Sequence, residues 1–275
     1  METSDPAPRH DAATSDERPW ALVTGASGGM GTAFCRYLAA RGVNLAVTSR
    51  RADVLESLAD ELRVGHGVKV EVIACDIADR QARHDLVAEL TDRGIGPETL
   101  INNAGFGSLG TVTELGPDDQ LAQVDVNCQA VVHLCSLIVP TMVQAHRGSV
   151  INVASTAAFQ PLPGFATYAA TKAFVLSFTQ ALWQETRNTG VRVTAICPGP
   201  TRTGFFDVAG GLQPTASRHP DQVVRTAFDA LARNRPYAVD GATNLVGAAI
   251  GRHAPSWLEL PLVDRGLPRL FPRAD

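Results

Sequence analysis

Positive charge is scarce in this chain. Its 275 residues carry 24 Lys and Arg against 28 Asp and Glu, a formal net charge of −4 at pH 7. No Lys/Arg cluster breaks that balance, so the footprint of a nucleic-acid binder is missing. Cysteine is sparse as well. Cys35, Cys75, Cys128, Cys135 and Cys197 are odd in number, with no CxxC pair and no partnered histidine spacing. That argues against a disulfide framework or a metal site and predicts reduced core thiols in a cytoplasmic protein. No apolar run reaches the length of a membrane span. The first 18 residues, rich in Ser, Asp, Pro and Arg, lack the apolar core of a signal peptide and are expected to form a disordered tail.

Hydrophobic content of 45% and charged content of 19% suit a globular protein with a substantial core. One domain is expected over residues 19–251. An extension over 252–275, with four prolines and several leucines, covers a pocket or forms a partner surface.

The most informative stretch is Thr24-Gly25-Ala26-Ser27-Gly28-Gly29-Met30-Gly31. Before it, Trp20–Val23 reads as a buried strand; after it, Met30, Phe34, Tyr37, Leu38 and Arg41 recur at helical spacing until Gly42 stops the helix. Glycines at such a junction let the backbone approach a ligand, and the helix N-terminus turns free N–H groups towards it, a seat for a pyrophosphate. The spacing is GxxxGxG, a variant of the GxGxxG fingerprint.

Strands and helices then alternate. Strands are expected at 44–48, 68–74, 99–102, 149–154, 191–196 and 237–239, with helices between them. These include a long helix from about Pro117 to Ala145, another over about 165–188 and a last one near 221–234. Repeated βα units without internal repeats or long linkers mean an α/β fold: a doubly wound, Rossmann-like parallel sheet of about seven strands with helices on both faces. Ligands bind such sheets beyond the carboxyl ends of the strands, so the residues there are read for chemistry.

NAD-preferring dinucleotide folds place an acidic residue about 20 positions beyond the glycine loop. None stands here; the place holds Arg50, preceded by Ser49 and followed by Arg51. A guanidinium matches a 2′-phosphate in charge and donor geometry, so NADP is favoured over NAD. Beyond the third strand, Asp76 either accepts from an adenine amino group or caps the next helix. Beyond the fourth, Asn102-Asn103-Ala104-Gly105 stabilises the sheet, approaches a cofactor, or does both.

Ser155 follows the fifth strand, and Tyr168 and Lys172 stand at i and i+4 on the next helix, sharing a face. Bringing a phenol from about 10 to roughly 7 requires about 4 kcal/mol. One ammonium about 4 Å away at an effective dielectric near 20 supplies a contribution of that size. Tyr168 is thereby expected to act as an acid/base.

Together these residues resemble the short-chain dehydrogenase/reductase family, in its compact single-domain branch, from about Trp20 to Thr203. Thr24, Gly25, Gly29 and Gly31 match its TGxxxGxG loop, and 102–105 its NNAG turn. Asn127 falls where the family has an active-site asparagine that bends a helix and holds a relay water. Ser155, Tyr168 and Lys172 match its catalytic serine, tyrosine and lysine, and Pro198-Gly199-Pro200-Thr201-Arg202-Thr203 its PG-x-T-x-T turn. The resemblance implies a cofactor-binding set of Thr24, Gly25, Ser27, Gly29, Met30, Gly31, Ser49, Arg50, Asp76, Ile77, Asn103, Ala104, Gly105, Tyr168, Lys172, Pro198, Gly199, Thr201 and Thr203. One departure is the absence of a second basic residue in the glycine loop, where Gly28 stands.

The implied reaction is reversible hydride transfer between nicotinamide and a carbonyl or secondary alcohol. A mobile apolar lid over 204–218, with Phe106, Phe159, Leu162 and Phe165, points to a hydrophobic substrate such as a ketoacyl chain, a steroid-like ketone or an aromatic aldehyde. Two other classes are weighed. A non-catalytic dinucleotide-binding regulator has no need of the full Asn/Ser/Tyr/Lys set. A nucleotide-sugar epimerase or dehydratase usually has a different glycine spacing and a larger C-terminal domain. Apolar residues on more than one face of the helices at 117–145 and 165–188 predict a homodimer or homotetramer.

Overall fold

A computed structural model describes residues 18–209 and 216–255, together with Trp257, Leu260, Pro261, Val263 and Arg265. Residues 1–17 of the expected 18-residue tail, residues 210–215 of the expected lid and most of the proline-rich extension lie outside the described residues.

Seven strands, β1 (Trp20–Thr24), β2 (Asn44–Ser49), β3 (Val70–Ala74), β4 (Pro97–Asn102), β5 (Gly148–Val153), β6 (Val191–Cys197) and β7 (Tyr237–Val239), pair in the order β3-β2-β1-β4-β5-β6-β7. Every pairing is parallel. Alternate residues of each strand face opposite layers. Val23, Val47, Ile101 and Ile151 pack with Phe34, Leu55, Leu62 and Val223 on one side. Leu22, Ala46, Leu100 and Val150 pack with Leu86, Leu134, Ile138 and Val175 on the other. Burial on both faces is why the strands read as continuous apolar runs. The strand order reverses between β1 and β4, and the crevice above their carboxyl ends is where such sheets take ligands.

The helices are α1 (Gly29–Ala39), α2 (Ala52–His66), α3 (Arg80–Asp92), α4 (Pro117–Val124), α5 (Ala130–Gln144), α6 (Ala166–Glu185), α7 (Phe205–Val208), α8 (Pro220–Ala232) and α9 (Ala242–His253). Their ends follow local chemistry. Gly67, at φ 62°, closes α2 in the left-handed conformation. His219 and Gln222 form a capping box at α8, with Pro220 at its first turn.

Three expectations shift. The helix expected over 117–145 is interrupted by a π turn at Asp125–Gln129, which makes it α4, π turn and α5. Against the expectation that no apolar run reaches the length of a membrane span, this joined segment, Pro117–Gln144, is long and apolar enough to cross one. Half of its most apolar window is buried within the fold, and α5 packs on α3, β4 and β5, as a core helix does. Finally, α9 was not anticipated at all.

Candidate active site

The crest above β1 and β4 is built by glycine and by two cross-linking side chains. A Cβ on Gly25, which has φ +63°, would lie 2.9 Å from Ala104 Cα, and one on Gly31 would lie 2.2 Å from the Gly25 carbonyl oxygen. Neither position tolerates a side chain. The buried Thr24 hydroxyl accepts from the backbone N–H groups of Asn103 and Ala104, both at 3.0 Å. In return, Asn103 Nδ2 donates to the carbonyls of Thr24 and Gly25, at 2.9 and 3.1 Å. Thr24 is therefore a strut within the crest. No side chain caps α1 and no acidic residue stands in its first turn, so its leading N–H groups keep the character of an anion seat. Met30 packs on the core beneath that seat.

At the neighbouring strand end, Arg50 is exposed. Arg51 instead reaches the glycine loop, donating from Nη2 to the Ser27 carbonyl at 2.8 Å and to Ser27 Oγ at 3.2 Å. Ser49 Oγ accepts from the Arg51 backbone at 3.2 Å. Asp76 is exposed beside buried Ile77, and its carboxylate accepts from the Ala78 N–H at 3.1 Å. The capping alternative for Asp76 is thereby corrected: Asp79, three residues on, caps α3 by accepting from Ala82 at 2.9 Å.

Beyond β4 and β5 the structure brings Asn127, Ser155, Tyr168 and Lys172 together. The π turn adds a residue to one helical turn and sets Asn127 inward. Its amide donates to the Phe106 carbonyl at 2.9 Å and to Thr171 Oγ1 at 3.0 Å, and accepts from the Phe106 N–H at 3.1 Å. A Cβ on Gly105 would meet both Asn127 Oδ1, at 2.9 Å, and Lys172 Nζ, at 3.2 Å. Lys172 is buried and donates to the Val153 carbonyl at 2.8 Å. Burial lowers its pKa to about 8, because an ammonium is poorly solvated there.

Tyr168 corrects an expectation. Desolvation pushes its phenol up to about 12, opposed by the neighbouring Ser155. The Lys172 ammonium lies 5.8 Å from the tyrosine ring centroid and donates one of its three N–H groups to Val153. In this geometry Tyr168 is a protonated phenol.

An apolar wall flanks that phenol. The rings of Tyr168 and Phe205 are 5.3 Å apart, those of Tyr168 and Phe165 are 5.9 Å apart, and Leu109, Leu162, Phe206 and Ala209 complete the cluster. A Cβ on Gly107 would lie 2.8 Å from Tyr168 Cδ2 and 3.3 Å from Phe205 Cζ, so only glycine lets this wall close on the ring. Phe159 departs from its expected place. It joins the opposite core, its ring 5.9 Å from that of Tyr237. Phe106 is engaged through its backbone by Asn127 and does not belong to the wall.

Residues 19–210 match the family model described as short chain dehydrogenase. The chain is a short-chain dehydrogenase/reductase. Its activity class is oxidoreduction of a carbonyl or alcohol, and the family binds nicotinamide cofactors. Sulfoacetaldehyde reductase 2 of Chromohalobacter salexigens is 36% identical over 201 residues, 71% of this chain and 78% of that one. A short-chain dehydrogenase from Sphingobium yanoikuyae, solved in complex with NADPH, superposes with a TM-score of 0.76 at 29% identity, covering 94% of this chain and 98% of the other. A family member from Burkholderia phymatum, solved in complex with NAD, gives a TM-score of 0.76 at 26% identity over 86% of this chain and 94% of its own.

The PG turn of this dehydrogenase/reductase returns to the glycine loop. A Cβ on Gly29 would lie 3.3 Å from Thr203 Cγ2, and Thr201, buried, bonds the Gly199 carbonyl at 2.9 Å. Pro198 accepts from the Thr156 N–H at 2.9 Å, which ties the turn to the segment after Ser155. Asn244 was missed. Its amide sits where a Cβ of Gly199 would be, at 2.4 Å, so α9 backs this turn. Asp240 and Arg218 were missed too; an Asp-Gly pair ending an apolar triplet was the only signal available.

Proposed function

We propose that this dehydrogenase/reductase is NADP(H)-dependent and acts on a hydrophobic carbonyl or secondary alcohol, with Tyr168 giving the proton in reduction and taking it in oxidation. The observation that carries the reading is the position of the Tyr168 phenol. It stands beside Ser155, which favours its ionised form, and is flanked by Phe205 and Phe165, at the end of the sheet that bears the glycine loop. When bound, the nicotinamide supplies or accepts the hydride. The residues fit such a group: the uncapped start of α1 would hold a pyrophosphate at Gly25, Ser27, Gly29, Met30 and Gly31. Asp76, Ile77, Asn103, Ala104 and Gly105 would border the adenosine side. Pro198, Gly199, Thr201 and Thr203 would meet the nicotinamide end, and Lys172 its ribose. Thr24 supports this set from below.

Ser155 positions the substrate oxygen and stabilises negative charge developing on it. Lys172, charged at neutral pH, adds a positive field beside Tyr168, and Asn127 fixes the Gly105–Phe106 backbone against it. Arg50 and Ser49 would receive the 2′-phosphate, with Arg51 bracing Ser27. The likeness to an NADPH-bound protein supports this preference, while an NAD-bound neighbour makes it a matter for measurement. Five buried free thiols suit a reducing compartment such as the cytoplasm.

The test is turnover with a panel of ketoacyl, steroid-like and aromatic carbonyls, supplied with NADPH or NADH. At least one apolar carbonyl is expected to be reduced, faster with NADPH. Turnover restricted to small charged carbonyls, or a preference for NADH, overturns the proposal.

A further inference from the structure

The segment that brings Phe205 to Tyr168 leaves the PG turn at Thr203, and Ser217 and Arg218 lie against that turn through a linked set of contacts. Arg218 forms a parallel bridge with Thr201: its N–H donates to the Pro200 carbonyl, and its carbonyl accepts from Arg202, both at 2.9 Å. Arg202 Nε donates to Ser217 Oγ at 3.3 Å beside that bridge. Behind it, the Arg218 guanidinium grips Asp240, from Nε to Oδ2 and from Nη2 to Oδ1, the latter at 3.2 Å. Asp240 is fully buried, and Thr226 of α8 donates to its Oδ1 at 2.6 Å. Its carbonyl accepts from Asn244, the residue packed on Gly199. Gly241, at φ +89°, leaves room for the guanidinium; a Cβ there would lie 3.0 Å from Arg218 Cδ.

We infer that Asp240, acting through Arg218, is a positioning residue for the substrate: the ion pair, buried at its carboxylate end, holds Ser217 and Arg218 against the PG turn and so fixes where Phe205 and Ala209 stand over Tyr168. A carboxylate taken wholly out of water is costly, and an apolar contact would close the sheet edge at least as well. What the pair adds is a directional, bidentate hold on one residue against the PG turn. The segment leaving that turn carries the apolar wall, through Phe205 and through the Leu109 N–H to Ala209 carbonyl bond at 2.9 Å. The inference rests on the proposed function for the meaning of the wall, but the lock itself does not.

The experiment compares native protein, Asp240→Asn, Arg218→Lys and the double variant Arg218→Met with Asp240→Asn. The double variant removes both charges at similar volume and is expected to unfold within a few degrees of native, as buried pairs replaced together often do. A purely structural role would then restore everything. A positioning role leaves the KM for the carbonyl substrate raised about ten-fold with kcat within about three-fold, in both Asp240→Asn and the double variant. Trypsin cleavage after the exposed Arg202 is expected to accelerate about ten-fold in the same two variants, and Arg218→Lys to stay near native. A double variant with native melting temperature, native KM and native cleavage rate overturns the inference. Failure of the native protein to use NADPH defeats the proposed function instead, and the cleavage rates still decide the lock.

Discussion

The Lys172 ammonium donates to the Val153 carbonyl at 2.8 Å, which joins the middle of α6 to the last residue of β5. The bond keeps a cation beside Tyr168 where burial disfavours charge and brings the lysine pKa down to about 8. The charge is present below that value and lost as pH rises through it. Carbonyl reduction, which uses that field and a protonated phenol, is expected to show kcat/KM falling through a single descending limb centred near pH 8. A profile flat to pH 9 would refute the assignment. Stability moves the other way. Between about 8 and the ordinary 10.5 the unfolded chain holds the extra proton, so this residue's contribution rises with pH.

Replacing Tyr168 with Phe removes the proton donor and leaves the glycine loop untouched. Turnover is expected to fall by at least about a hundred-fold while NADPH affinity, measured by quenching of protein fluorescence, stays within about three-fold. Retention of more than about a tenth of native kcat would show that another group supplies the proton.

The two arginines after β2 separate by their contacts. Arg50→Ala is expected to weaken NADPH by roughly ten- to a hundred-fold, the worth of a charge-assisted pair, and NADH hardly at all. Arg51→Ala loosens the Ser27 carbonyl and is expected to weaken both cofactors alike. Equal losses for Arg50→Ala would sink the 2′-phosphate assignment.

Assembly follows from what remains uncovered on α5 and α6. Val131, Leu134, Ile138, Val139 and Val175, which made the helices look apolar all round, are core residues. Trp183 turns to the Asn234 carbonyl at 3.1 Å. Phe174, 44% exposed, stacks on Phe178 with ring centroids 6.2 Å apart, and Leu121 of α4 is 60% exposed. A homodimer or homotetramer is expected, with Phe174→Glu shifting it towards monomer. Light scattering at micromolar concentration that returns 29.1 kDa for the native chain would disprove the association.

Much of this was legible in the sequence because it is local. The junction from Trp20 to Gly42 announces itself through glycine and periodicity, and every strand was placed to within a few residues. Asn127 became readable only through family resemblance, since a π turn leaves no mark on an apolar helix. Thr24 and Asn103 stand out at the crest as ligand contacts, and nothing in the sequence signals that they also brace each other. Asp76 and Asp79 compete for one cap, and only geometry decides between them. Helix α9, with two glycines and three alanines among few strong apolar anchors, lacked the stripe that marks a helix. The Arg218–Asp240 pair, 22 residues apart, offered only the faint signal of an Asp-Gly ending an apolar triplet.

The mutual bonding of Thr24, Gly25, Asn103 and Ala104 has a consequence for how the cleft responds to stress. Its nucleotide floor is cross-braced by the sheet itself and needs no ligand to hold its shape, so capture there involves little ordering. Its opposite side hangs from contacts outside the strands. Warming or mild denaturant would therefore erode discrimination among carbonyls while the protein still took up its dinucleotide, the two abilities fading at different points along one melting curve.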